Sequence, residues 1–69
     1  MSNDIFLKQM GAKITKARKA NKMTLQKLSD LSGINISNLW FLENGQRNAH
    51  ILSIKSIADV LKVDVKDFI

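Results

Sequence analysis

The 69-residue chain has no cysteine and no proline, one histidine (His50) and only three glycines. Without thiols it can form no disulfide and offer no thiolate to zinc, and one imidazole cannot build a multi-ligand metal site. His50 has no Asp or Glu near it in sequence, and the remaining nucleophile types are Ser, Thr and Lys scattered over helical stretches, so no acid–base or nucleophilic constellation is assembled. No catalytic residue, metal or cofactor is expected, and the chain is not expected to be an enzyme. The apolar runs, such as Leu39–Leu42, last a few residues, against the roughly 20 needed to span a bilayer. The start, Met1-Ser2-Asn3-Asp4, carries no basic patch ahead of an apolar stretch, so a cytoplasmic protein without a membrane partner is expected. A chain this short forms a single domain over residues 1–69, stabilised by helix packing with or without dimerisation.

What the chain does have is lopsided charge. Residues 1–35 hold seven cations against two anions, a net +5, whereas residues 36–69 sum to zero. Between Asp4 and Asp30 lie Lys8, Lys13, Lys16, Arg18, Lys19, Lys22 and Lys27 with no acid among them. Such a lobe attracts a polyanion at long range, although charge alone fits a solubilising helix face equally well.

Apolar spacing predicts an all-α chain. Leu7, Met10, Ile14 and Ala17 share one face of a first helix over about residues 5–21. Thr24 is a capping residue, Leu25, Leu28 and Leu31 recur every three positions, and Gly33 can take the left-handed backbone that ends a helix. Asn35 caps a two-turn third helix with Leu39 and Leu42 inward, and Asn44-Gly45 stops it. Ile51, Ile54, Ile57, Ala58 and Leu61 predict a fourth helix, and Asp64 caps a last turn carrying Phe68. No alternating run bounded by turn residues suggests a strand. Met10 and Met23 are expected in the core.

Two short capped helices joined through Gly33, with Ile34 plugging the angle between them, have helix-turn-helix spacing. Residues 24–47, TLQKLSDLSGINISNLWFLENGQR, resemble the lambda-repressor/Cro-like, XRE-type helix-turn-helix family. The likeness runs through Gly11, Ile14 and Arg18 in the first helix and through residues 48–61, Val63, Asp64 and Phe68 in the fourth and fifth. It covers about 60 of the 69 residues, and its most specific elements are Leu28, Gly33, Leu39, Leu42 and Glu43-Asn44-Gly45. The resemblance implies a compact five-helix DNA-binding domain in which Arg18 pairs with Glu43, clamping helix one to helix three.

It also implies an interface. Thr24 and Leu25 lie against a phosphate; Ile36, Ser37, Asn38 and Phe41, following the cap Asn35, face base edges; Asn44, Gln46, Arg47 and Asn48 meet the opposite phosphates. Asn38 reading adenine, with Ile36 or Phe41 on a thymine methyl, implies a preference for A·T pairs. The lysines of helix one are expected to act at long range rather than as direct contacts, and His50 as an exposed cap or phosphate neighbour. The family often has Gln where Leu25 stands and polar residues where Ile36, Trp40 and Phe41 stand, so this recognition helix is unusually apolar. Trp40 is expected to fold back over helix two or four. The implied activity is a regulator of transcription, expected to repress, that binds a pseudo-palindromic operator of double-stranded DNA as a homodimer. Its half-sites then lie about one helical turn, roughly 34 to 36 Å, apart. Leu52, Val65, Phe68 and Ile69 are the expected dimer contacts. The competing expectation is a protein-interaction module of the same fold, such as an antitoxin-type partner binder, using the apolar third-helix face.

Overall fold

A computed structural model describes residues 2–69, with side chains from Asp4 onward; Met1, part of the N-terminal stretch read above, lies outside the described residues. The elements are α1 (Ser2–Ala20), α2 (Leu25–Ser32), α3 (Ile36–Glu43) and α4 (Ile51–Leu61), followed by a 3-10 turn over Val65–Asp67. No strand occurs among the described residues. The expected fifth helix is thus a single 3-10 turn. Asp64 accepts from Lys66 N, and its own N–H donates to Asp67 Oδ2, a capping box that closes the turn within three residues.

Each short helix starts where a side chain can satisfy an orphan N–H. Thr24 accepts from Lys27 N at 3.1 Å, Asn35 from Ser37 N at 2.8 Å and His50 Nδ1 from Leu52 N at 3.3 Å. Gly33, at φ 76°, ends α2 by donating its N–H to Ser29 O at 3.0 Å. The turn between α2 and α3 is pinned further by serines of α2: Ser29 Oγ donates to Ile34 O, and Ile34 N donates to Ser32 Oγ. α3 ends in a six-residue closure, with Gln46 N bonded to Phe41 O and Gly45 N to Leu42 O.

The core joins Met10 and Ile14 of α1, Leu28 of α2, Leu39 and Leu42 of α3, four residues of α4 including Ile57 and Leu61, and Phe68. Ile34 packs at its margin, in the angle between α2 and α3, and Met23, expected in the core, is only half-buried there. Leu31, the third leucine of the repeat, is 52 % exposed. Each three-residue step falls about 60° short of a full helical turn, so a leucine every third residue walks off the buried face. Leu25 is half-buried, Leu28 buried and Leu31 outside.

Phe68 also departs from expectation. Placed above among the dimer contacts, it is 2 % exposed and belongs to the core. The capped 3-10 turn folds the chain back so that Phe68 lines, with Ala17, Ala20 and Val63, a cleft against α1. Val65 is half-buried against the same core, whereas Leu52 and Ile69 are exposed.

Candidate nucleic-acid interface

α3 is held against α1 by its C-terminal end, while the side chains of Asn35 to Asn38 at its start reach the surface. Gly11 of α1 permits the contact: a Cβ there would come within 2.4 Å of Leu42 O and 2.6 Å of Glu43 O. Arg18 completes it. Its Nε donates to Glu43 Oε2 at 2.8 Å and its Nη2 to Glu43 Oε1 at 3.0 Å, while Nη1 donates to Met23 O at 2.8 Å. The Thr15 hydroxyl lies 2.9 Å from Glu43 Oε1. Only 14 % of the Arg18 side chain and 6 % of the Glu43 side chain remain exposed. The hydrogen bond to Glu43 raises the Arg18 pKa above its ordinary value, against the opposing effect of burial.

This pairing shapes the electrostatics of the outer surface. From Leu31 to Ala58 the only acidic residue is Glu43, and it is committed inward to Arg18. The outward part of α3 and the link after it therefore carry no uncompensated negative charge to repel a phosphate.

Asn35, Ser37 and Asn38 are exposed, Ile36 is 36 % exposed, and Phe41 is half-buried. On the flanks, Thr24, Asn44, Gln46, Arg47 and Asn48 are exposed and Leu25 is half-buried. The side chains singled out in sequence thus reach the surface, three of them only in part. Two already have partners within α3: Asn35 caps it, and Asn44 Nδ2 donates to Trp40 O at 2.8 Å.

Trp40 shares a cleft with the start of α2, one of the two helices expected to receive it, and with no residue of α4. It is 46 % exposed, meets Phe41 edge to face at 5.3 Å, and lines a cleft of about 670 Å³ with Lys16, Lys19, Leu25 and Asn44. The position one past Leu39 turns it toward α1 and the start of α2, away from α4. Lys16 and Lys19 are therefore neighbours of this surface as well as distant charges. Their three-residue spacing on one side of α1 is the signal in the sequence that marks them together.

Arg47 is the other residue whose position the sequence leaves open. Its Nη1 donates to Asn38 Oδ1, and its guanidinium carbon sits 4.3 Å from the centre of the Phe41 ring. The link residue thus lies on the same face as the candidate base readers. Among the described residues no group of three or more His, Asp or Glu side chains could hold a metal ion, and no helix is long and apolar enough to cross a membrane.

Comparisons with known proteins agree with the fold. The restriction-modification controller protein C.AhdI from Aeromonas hydrophila superposes with a TM-score of 0.88 at 27 % identity, over 91 % of this chain and 96 % of that one. An HTH_3 family transcriptional regulator from Vibrio cholerae superposes equally well, TM-score 0.88, at 23 % identity; 96 % of this chain is covered but only 37 % of the other, a likeness of fold alone. No match was found among curated protein sequences. Residues 14–68, which include both helices of the motif, the Arg18–Glu43 clamp and α4, match the HTH_3 helix-turn-helix family, and the chain belongs to that family.

Proposed function

We propose that this chain is a transcription regulator that binds double-stranded DNA sequence-specifically as a homodimer, placing α3 in the major groove. The observation that carries the reading is the presentation of α3. Its capped N-terminal half, Asn35 to Asn38, stands exposed at the end of a pinned turn, and its one acid is neutralised by Arg18. An α-helix fits the major groove, and the first residues of such a helix are the ones that reach base edges.

The flanks supply the phosphate contacts. The free N–H groups at the start of α2 favour an anion, and Lys16 and Lys19 border the same cleft. Gln46 and Asn48, exposed in the link after α3, are the candidates for the opposite phosphates. The likeness to a restriction-modification controller supports a regulatory role, and repression follows if the operator overlaps a promoter. Leu52 and Ile69, with Ile51 beside Leu52, are among the exposed apolar residues available to join two copies.

A second reading, docking of another protein on α3, is favoured by the exposure of Ile36 and Trp40. Salt separates the two. Binding to a labelled duplex by fluorescence anisotropy should weaken by about 0.9 log units per neutralised phosphate for each tenfold rise in salt, giving a slope steeper than about −3 for a dimer. Absence of duplex binding at low salt would reject the DNA reading and leave the protein partner.

A further inference from the structure

Asn38 and Arg47 stand nine residues apart yet form one unit on the outer face of α3. Arg47 Nη1 donates to Asn38 Oδ1, and the Phe41 ring lies under the same guanidinium at 4.3 Å. Both residues are exposed. Arginine offers donors only, so the amide atom that faces it must be the oxygen. The contact therefore fixes the orientation of the Asn38 amide, with Nδ2 directed away from Arg47.

We propose that Arg47 is a specificity-determining residue, and that with Asn38 it forms a pair of donors selecting guanine; the proposal rests on the reading of α3 as the groove-entering helix. An asparagine acting alone reads adenine with both amide ends, accepting from N6 and donating to N7. Here Oδ1 already accepts from Arg47, so the adenine N6–H₂ would have only its second lone pair, with the guanidinium cation held beside it. Guanine instead presents two acceptors, N7 and O6, to the Nδ2 of Asn38 and the remaining N–H groups of Arg47. Phe41 contributes by attracting the cation to its face. That contact holds the planar fork beside the helix, so less side-chain freedom is lost when a base arrives. The A·T preference inferred from Asn38 in isolation gives way at this base pair.

Selection from a pool of duplexes with a randomised central segment, using the full chain and its Arg47→Ala and Asn38→Ala variants, tests the proposal. The unmodified chain should select guanine at one position in each half-site, and both variants should lose that preference. Arg47→Ala, which releases Oδ1, should select adenine there and bind the guanine site about tenfold more weakly. Thermal unfolding by circular dichroism should be nearly unchanged in both, because the two side chains are exposed. The proposal is overturned if Arg47→Ala keeps the same base at every position while weakening all sequences alike, or if the base lost in Asn38→Ala is adenine in the unmodified chain. Failure of the unmodified chain to enrich any sequence would overturn the DNA reading itself, and this pair with it.

Discussion

Arg18 and Glu43 are joined by two parallel hydrogen bonds, 2.8 and 3.0 Å long, that tie the end of α1 to the end of α3. The pair is largely buried, so removing one partner strands the other in a poorly solvated position. Arg18→Ala and Glu43→Ala should each lower stability by about 3 kcal/mol. The double variant should cost clearly less than the sum of the two, since neither charge is then left alone. Urea unfolding of the four proteins measures this coupling, and strictly additive losses would mean that the clamp is not a unit.

Gly11 inverts a familiar rule. In an exposed helix interior, Gly→Ala gains up to about 1 kcal/mol. At Gly11 the added methyl would meet the carbonyl oxygens of Leu42 and Glu43 at 2.4 and 2.6 Å, and backbone on both sides cannot yield as a flexible side chain would. Gly11→Ala should therefore destabilise by about 2 kcal/mol or more. It should also shift α3 outward, and so weaken DNA binding beyond what partial unfolding explains. A melting temperature equal to or above that of the unmodified chain would contradict the close approach.

How much of this was legible depended on how local each interaction is. The starts at Thr24, Asn35 and Asp64 and the stop at Gly33 could be read because the capping groups lie within a few residues of their partners. The leucine repeat of α2 marked the helix but not its buried face, because a three-residue step precesses around the axis and carries Leu31 outside. Phe68 misled because a hydrophobic residue at a chain end has no periodicity to say which way it faces, and only the fold of the Asp64 turn sends it inward. The Arg18–Glu43 contact spans 25 positions and entered through family resemblance, not through spacing. The Arg47 contact with Asn38 crosses an irregular link, where no pattern in the sequence speaks to orientation.

Two helix ends make use of a conformation that suits them poorly. Lys22 at φ 54° and Lys62 at φ 60° occupy the left-handed region, where a Cβ costs roughly 1 kcal/mol or more. In each case a bond runs back five residues, from Met23 N to Arg18 O and from Val63 N to Ala58 O, so the backbone is committed to the strained shape. Neither stop carried a glycine to announce it. Lys22→Gly and Lys62→Gly should each raise stability by about 0.5 to 1 kcal/mol. The same change at Lys19, inside α1, should lower it by about 1 kcal/mol. Thermal melts of the three variants check the sign, and stabilisation at Lys19 would show that the gain has another source.

Leu52 and Phe68 stood together as expected dimer contacts, and their burial now separates them. Leu52 is 66 % exposed at the start of α4 and Phe68 is 2 % exposed in the core. Phe68→Ala should remove about 3 to 5 kcal/mol, a large share of what a domain of this size possesses, and should unfold the chain before any effect on assembly can be read. Leu52→Asp should leave the folded monomer close to its original stability, because the side chain makes little contact to lose. If two copies join through this surface, the aspartate faces a partner across apolar ground. Sedimentation should then show a loss of dimer, and affinity for a two-half-site duplex should fall towards that for a single half-site. An unchanged sedimentation coefficient, with binding to the paired sites intact, would move the interface away from the start of α4.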